Sequence, residues 1–454
     1  MPPTIIRFLD SQGGDGAVSF FLAKPNGNAT ICILNADPSK PPYSNLQDPV
    51  PAGAVSQAGI ALYQQLTGHK AIAAHFNTVF GDTSNDPPRP IGMQVDSVAA
   101  DSLPWETLCL PGGEFLALDR RWPVARLLDP TDDKLKQDYE FSPPLRLAVV
   151  LSAWGSDPGK RIPARDEWRS LEESILKNAA AGPTSLLILL CETNLKQEID
   201  QAGYANVRTA LITGQNPMSQ LIREFRPHIL HFFCHGFSGA KSFLRINTVA
   251  DKESNADGKI YLMPSDLRQS INGEETIWLV VLNCCDSANA ARSGDTRNLA
   301  AALVKRGFPA VIGMREPVES NYARLLTEEL YGELLPRLAA LPDGQVSALE
   351  WSAMLVPGRM RLRDDSAPPN AGPDAAASTK HWAIPALYMR TFPFQMRKIP
   401  AKLPDPDRQK VVAKLAELRD LRMSVLQGPA SADKKLNMLA EFDRLIQAEE
   451  AKLL

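Results

Sequence analysis

Apolar and polar positions repeat with different periods along this chain, and the changes of period predict its elements. Residues 4–9, 17–23 and 29–34 read as strands, and a Pro/Asn/Asp-rich loop covers 36–52. From Gly53 to Leu66 the spacing turns helical, with Ala61, Leu62 and Leu66 on one face. A second loop, GDTSNDPPRP, precedes the PWETL segment around Trp105. Beyond a polar spacer at 129–141, short continuous apolar runs alternate with helical stretches. Strands are predicted at 145–153, 185–192, 228–234, 277–283 and 309–314, helices near 165–179, 217–226 and 297–306, and a hairpin over 243–262. Runs that are apolar at every residue suit strands buried on both faces. Their alternation with helices predicts an α/β fold, a mostly parallel sheet covered by helices on both sides. Residues 362–380, rich in Pro, Ala and Asp, predict a mobile loop, and HWAIPALYMR one more strand. After Pro400 two stripes follow, Val411, Leu415, Leu418 and Val425, then Leu436, Leu439, Phe442 and Ile446, broken at QGPAS. That pattern is a helical hairpin. Three regions result: an N-terminal α/β part at 1–140, a core at 141–398, and a linker with the hairpin at 399–454.

Composition narrows the partners. The 454 residues are 44% apolar and 22% charged, with formal net charge −3. No excess of Lys and Arg exists to neutralise phosphates, so neither nucleic acid nor an anionic membrane is an expected partner. The longest apolar runs, near 185–191 and 277–282, are too short to cross a bilayer. The N-terminus MPPTIIRFLD lacks the basic and apolar regions of a signal peptide. Six cysteines in so long a chain do not make a disulfide framework. Cys32 and Cys191 lie inside apolar runs and read as buried thiols, so a reducing cytoplasm is the expected compartment.

Two apolar runs end in reactive residues. HILHFFC leads into His235-Gly236, and IWLVVL leads into Asn283-Cys284-Cys285-Asp286-Ser287. In open parallel sheets, ligands bind at the carboxyl ends of strands beside a change of strand order, so these residues can meet although fifty positions separate them. A thiol is mostly protonated at neutral pH, and a nearby imidazole makes it a competent nucleophile. Glycine after the histidine lets a carbonyl approach the backbone, where the Gly236 N–H and that of the nucleophile would form an oxyanion hole.

These residues carry a resemblance. HFFCHGF and VVLNCCDSA resemble the His-Gly and Cys motifs of CHAT-type caspase-like cysteine peptidases, in the group that holds caspases, metacaspases and separase. LPWETL with GEFLALDRRWPVARLL is similar to that family's upstream segment, RNLAAALVKRGFPAVIGMREPV to its helix and strand after the nucleophile, and HWAIPALYM to its closing strand. The resemblance covers roughly residues 1–395, most densely from 100 onward, and leaves the C-terminal hairpin outside. It implies a caspase-like sheet and a catalytic pair of His235 and Cys285. The group places its nucleophile before a polar residue, Ser or Thr, and a small residue. Cys285-Asp286-Ser287-Ala288 fits and Cys284 does not. Successive side chains of a strand also point oppositely, so only one of the two cysteines can face His235, and Cys284 is expected to pack.

Substrate preference is where the chain departs from its relatives. Metacaspase-like members carry Asp two residues before the nucleophile to receive a basic P1 side chain. Here Asn283 stands at that position, closer to the Gln of caspases. Where many CHAT members have an apolar-Trp-Pro pattern, this chain has Arg315-Glu316-Pro317. Arg315 in the S1 pocket would favour an acidic P1 and Glu316 a basic one, while solvated loop charges would favour neither.

Other clusters carry less. His228, His231, Cys234, His235 and Cys284 resemble a metal set by count, but His231 and Cys234 differ in parity along a strand, and no metal or other cofactor is expected. GSDPGKR lacks the spacing and the Ser/Thr of a phosphate loop. Glu253, Asn255, Asp257 and Gly258 imitate half a calcium loop, yet Pro264 stands where the bidentate Glu belongs.

Three functions stay open at this level. One is a regulated endopeptidase acting on protein substrates, which by resemblance works in prokaryotic defence or regulated cell death. The second is a catalytically silent adaptor working through the hairpin. The third is a thiol transferase or small-amide hydrolase. The hairpin would dock on the core, pair with a second copy in a homodimer, or bind an activating or regulatory protein.

Overall fold

Strands that are apolar at every position need cover on both faces, and they find it in the middle of one large sheet. The computed structural model describes residues 4–10, 18–23, 30–47, 50–81, 88–131, 138–152, 164–237, 242–254, 258–270, 276–284, 298–368, 371–372, 375–391 and 394–400, with positions 414, 417–418, 421, 425 and 432–450 beyond them. Its first strands are β1 (Thr4–Asp10), β2 (Val18–Leu22), β3 (Cys32–Leu34), β4 (Ile91–Val95), β5 (Val124–Leu128) and β6 (Asp138–Phe141). Then come β7 (Leu145–Leu151), β8 (Thr184–Leu190), β9 (Val207–Leu211), β10 (Ile229–Phe233), β11 (His235–Phe237) and β12 (Phe243–Ile246). The last are β13 (Ile260–Leu262), β14 (Leu279–Leu282), β15 (Ala310–Met314), β16 (Val346–Ala348), β17 (Pro385–Arg390) and β18 (Gln395–Lys398).

Twelve of them form one sheet in the order β3-β2-β1-β4-β5-β17-β15-β14-β10-β7-β8-β9. Neighbours run parallel except at β1–β2, β2–β3 and β15–β17. The α/β class and the mostly parallel sheet expected from the apolar runs are therefore what the chain forms. Residues before 141 supply one flank of the sheet, β3 to β5, and later residues supply the rest. Because β17 opposes β15, the flanks point their carboxyl ends to opposite edges. From β7, the order runs to β8 and β9 on one side and to β10, β14 and β15 on the other. The change of direction lies between β7 and β10, where parallel sheets open a crevice. Every side chain of β10, β14 and β15 is buried. Two small sheets stand apart, β11-β12-β13 and β16-β18-β6.

Several elements were not predicted. β4 (IGMQV) and β5 (VARLL) carry Gln94 and Arg126 mid-strand, both buried and satisfied internally, so neither reads as an apolar run. The helices Lys70–Gly81, Thr193–Gln201 and Ser320–Ala339 and strand β9 also escaped. The long helix Ser320–Ala339 packs on Ala164–Leu171 and on Val356–Ser366. The supposed mobile loop at 362–380 is corrected in part. The helix Val356–Ser366 enters it, Ala375–Ser378 is helical, and Lys380 is buried. β6 likewise lies inside the supposed polar spacer, where it pairs with β18.

The chain divides into two compact units, Met1–Ile399 and Pro400–Leu454. In the second, Ala432–Glu450 is helical, with Leu439, Phe442 and Ile446 half-buried and Met438 and Leu445 exposed. Most of the expected hairpin's first arm lies outside the described residues. Among the described residues no helix is long and apolar enough to cross a membrane.

At the amino end of β10, His228 stacks on Trp278 with ring centroids 4.8 Å apart, and its Nδ1 accepts from the Arg146 N–H at 3.1 Å. Burial, then the charges of Arg146 and Arg226, push its imidazole down to about 3. The fold therefore holds the ring neutral while the unfolded chain can charge it near its ordinary value of 6.5. Protons then favour the unfolded state. This contribution to stability is complete above pH 6.5 and is lost as pH falls towards 3, at up to about 1.4 kcal/mol per unit. Denaturant unfolding at pH 7, 6, 5 and 4 should show this slope in the wild type and a flatter one in His228→Gln.

Candidate active site

β10 and β14 lie side by side in parallel, with Ile229 opposite Leu279 and Phe232 opposite Leu282. The chains that leave their carboxyl ends therefore leave the same edge of the sheet. One delivers Cys234 and His235; the other delivers Asn283 and Cys284. Cys285 lies outside the described residues, one peptide bond beyond Cys284. Beyond β10 the chain turns at once into β11, whose first residue is His235, opposite Arg245 of β12. His235 is partly buried and Gly236 fully so. Cys284 is buried within the hydrophobic core, as the alternation of a strand requires of one of the two cysteines.

Beneath these strand ends lies a buried polar cluster. The Asn283 side-chain amide donates to Glu167 Oε1 at 3.1 Å, to the Ala323 carbonyl at 3.0 Å and to Thr327 Oγ1 at 3.0 Å. Thr327 Oγ1 donates to Glu167 Oε1 at 2.6 Å. His231 Nε2 stands 2.9 Å from the same carboxylate oxygen, out of hydrogen-bonding alignment, while its Nδ1 meets the Tyr331 hydroxyl at 3.0 Å. All these side chains are buried. A buried carboxylate is tolerated only when donors surround it. Here the donors come from the strand end before the cysteines and from the long helix, so the cluster fastens the end of β14 to the layer below.

The CHAT-domain family model matches residues 57–390. The chain belongs to the CHAT-domain family. Its CHAT domain thus runs from the first long helix to the last residue of β17, with β1 to β3 before it and the Pro400–Leu454 unit after it. No curated protein matches the chain in sequence. Among solved structures, the domain is similar to the Saccharomyces cerevisiae separase–securin complex, at 11% identity and TM-score 0.38, over 74% of this chain and 18% of that one. It is also similar to the Arg-specific cysteine proteinase gingipain R, at 9% identity and TM-score 0.38, over 76% of this chain and 69% of that one.

Of the residues nominated from sequence, the CHAT domain brings His235 and Gly236 to the edge where β10 and β14 end. The Asn283 amide is buried and directs its donors inward, to Glu167, Ala323 and Thr327. Arg315 and Glu316 are both paired within the fold. The Arg315 guanidinium donates to the carbonyls of Leu103 at 2.6 Å and Ser102 at 2.8 Å, and lies 3.3 Å from Glu106 Oε2. Glu316 pairs with Lys380 at 2.5 Å, and Lys380 also donates to the Leu46 carbonyl.

The residue that sequence reading missed is Glu167. In the segment ARDEWRSL it reads as a solvated helix charge, yet it stands on the buried stripe with Ala164 and Leu171. A carboxylate at that position of an apolar stripe is the signal that marks it. Asn283→Asp, which restores the metacaspase-like residue, would set a second carboxylate against Glu167. We expect a loss of about 2 kcal/mol in denaturant unfolding at pH 7. No new preference for a basic P1 residue should appear in peptide cleavage profiles.

Proposed function

We propose that the chain is a cysteine endopeptidase in which Cys285 attacks the scissile carbonyl and His235 carries the proton. The observation that supports it most is the parallel adjacency of β10 and β14, whose ends bring His235-Gly236 and Asn283-Cys284, the residues just before Cys285 in sequence, to one edge beside the switch in strand order. Membership of the CHAT-domain family and the resemblance of HFFCHGF and VVLNCCDSA to the peptidase motifs of that group point the same way. The burial of Cys284 in the core supports its neighbour as the nucleophile.

In this reading His235 takes the Cys285 thiol proton and the thiolate adds to the peptide carbonyl. The backbone N–H groups of Gly236 and Cys285 bind the oxyanion. As the carbon–nitrogen bond breaks, His235 gives its proton to the departing amine, leaving a thioester on Cys285. Water, deprotonated by His235, then attacks the thioester and releases the acid and the free thiol.

With Asn283 committed inward and Arg315 and Glu316 paired within the fold, none of the three offers an unpaired charge to a P1 side chain. Control by a partner protein that engages residues 399–454, in a setting of prokaryotic defence, belongs to the same reading. Its support is the amphipathic helix Ala432–Glu450. The reading is tested by N-terminal proteomics on cells expressing the wild type or Cys285→Ala. New protein N-termini should appear with the first and not with the second. Identical sets from both would remove the peptidase reading.

A further inference from the structure

The three-stranded sheet that begins at His235 has two unlike faces. Gly236, Leu244, Ile246, Ile260 and Leu262 point inward and are buried. By strand alternation and register, His235, Phe237, Phe243, Arg245 and Tyr261 share the other face, since His235 opposes Arg245, Phe237 opposes Phe243 and Arg245 opposes Tyr261. Phe237 stacks on Phe243 with centroids 5.0 Å apart, and Phe243 meets Tyr261 edge-on at 5.4 Å. The Arg245 guanidinium lies 5.9 Å from the centre of the Phe237 ring, and its Nε is buried without a hydrogen-bond partner. Phe237 is 41% exposed and Tyr261 50% exposed, and among the described residues no other aromatic side chain is exposed. An aromatic ladder open to water costs solvation free energy unless something covers it.

Its position indicates what does. Asn247, directly after β12, is held to Ser152, directly after β7, by an N–H donated to Ser152 Oγ at 2.6 Å and a hydroxyl donated to the Asn247 carbonyl at 3.0 Å. β7 flanks β10 on the side away from β14, so the ladder extends from His235 on the side opposite the cysteine-bearing strand. A histidine that protonates the departing amine must stand between the thiol and the segment that leaves. The ladder therefore lies where the residues following the scissile bond would run.

We propose that Phe237, Phe243 and Tyr261 form a leaving-side subsite that selects an aromatic or large apolar side chain at the first or second position after the cut. This rests on the peptidase reading for its direction along the substrate, while the ladder itself does not.

The test uses the full chain on a random peptide mixture, with the residues after each cut identified by mass spectrometry. Wild type should enrich Phe, Tyr, Trp or Leu there by about tenfold over Gly. Phe237→Ser/Tyr261→Ser should reduce that ratio to about twofold or less, and Ile33→Ser, an exposed change on edge strand β3, should leave it intact. No enrichment, or the same enrichment in the double variant, overturns the subsite while the peptidase reading stands. A second arm needs no turnover: fluorescence anisotropy of labelled Gly-Phe-Tyr-Gly against Gly-Ala-Ala-Gly on the Cys285→Ala chain, with and without the two serines. If nothing is cut but the aromatic peptide binds in a ladder-dependent way, the peptidase reading falls and the subsite stands as a peptide-binding face. If nothing is cut and the two peptides bind alike, the subsite falls too.

Discussion

Cys285→Ala is expected to lower kcat/KM for a cleaved peptide by roughly 10⁴-fold or more, and His235→Ala by about 10²–10⁴-fold, without unfolding the chain. The two losses differ in kind. Without the thiol no thioester forms, and the water that remains is a far weaker nucleophile. Without the imidazole the thiol still ionises slightly at neutral pH, so slow attack persists and rises with pH as the thiolate fraction grows. His235→Ala should therefore recover part of its rate between pH 7 and pH 9, and Cys285→Ala should not. His235 is only partly buried, and the end of β14 is held through Asn283 and Cys284. Stopped assays with both variants across this pH range, alongside thermal unfolding, separate the outcomes.

The second large effect concerns Arg126, in the middle of β5. Its side chain is fully buried and forms a two-pronged pair with Glu106, through Nε at 2.8 Å and a terminal nitrogen at 2.7 Å. It also reaches Asp101 Oδ1 at 2.9 Å and the Leu103 carbonyl at 2.8 Å. Burial works against the guanidinium charge, but Glu106, Tyr388 and Asp101 outweigh it and keep the group more firmly protonated than usual. Burial also raises the Asp101 carboxyl, against the pull of Arg126. Arg126→Leu removes the charge that makes the buried Glu106 tolerable. We expect a loss of about 3–5 kcal/mol, because the remaining partner is left uncompensated. The double variant Arg126→Leu/Glu106→Leu should recover much of this, since replacing both members of a buried pair costs far less than breaking it. Denaturant titration of the two single variants and the double one measures the coupling. Consequences would reach the candidate site as well. Glu106 also faces Arg315 after β15, and Asp101 accepts from Asn298 at 2.7 Å, the residue that caps the helix Leu299–Lys305.

How much of this was legible in the sequence follows from what each residue spends its contacts on. HILHFF, IWLVVL, SLLILL and PAVIGM read as strands because central parallel strands are covered on both faces and need no polar side. The candidate pair stood out for the same reason, since in the sequence His235 and the two cysteines follow directly where those runs stop. β4 and β5 were not, because Gln94 and Arg126 interrupt the apolar pattern. Their polar groups are satisfied by Asp129, Glu106 and Asp101, partners that only the fold brings near. The stripe marks Glu167, but its partners were illegible for a similar reason: its donors, Thr327 and Asn283, are 160 and 116 positions away. Arg315 and Glu316 looked like open charges because Ser102, Leu103 and Lys380 lie far along the chain. Long-range pairing of polar groups is what a hydrophobic pattern does not encode.

Whether Cys285 is a nucleophile served by His235 is decided by covalent labelling with a thiol-directed acyl probe at neutral pH and mass-spectrometric mapping of the modified residue. Cys109 and Cys191 should stay silent in the folded chain, because burial pushes their thiols up to about 12. Modification is expected at Cys285, retained in Cys284→Ala, lost in Cys285→Ala and sharply reduced in His235→Ala. Modification that maps to Cys284, or labelling of Cys285 that is indifferent to His235, would contradict it.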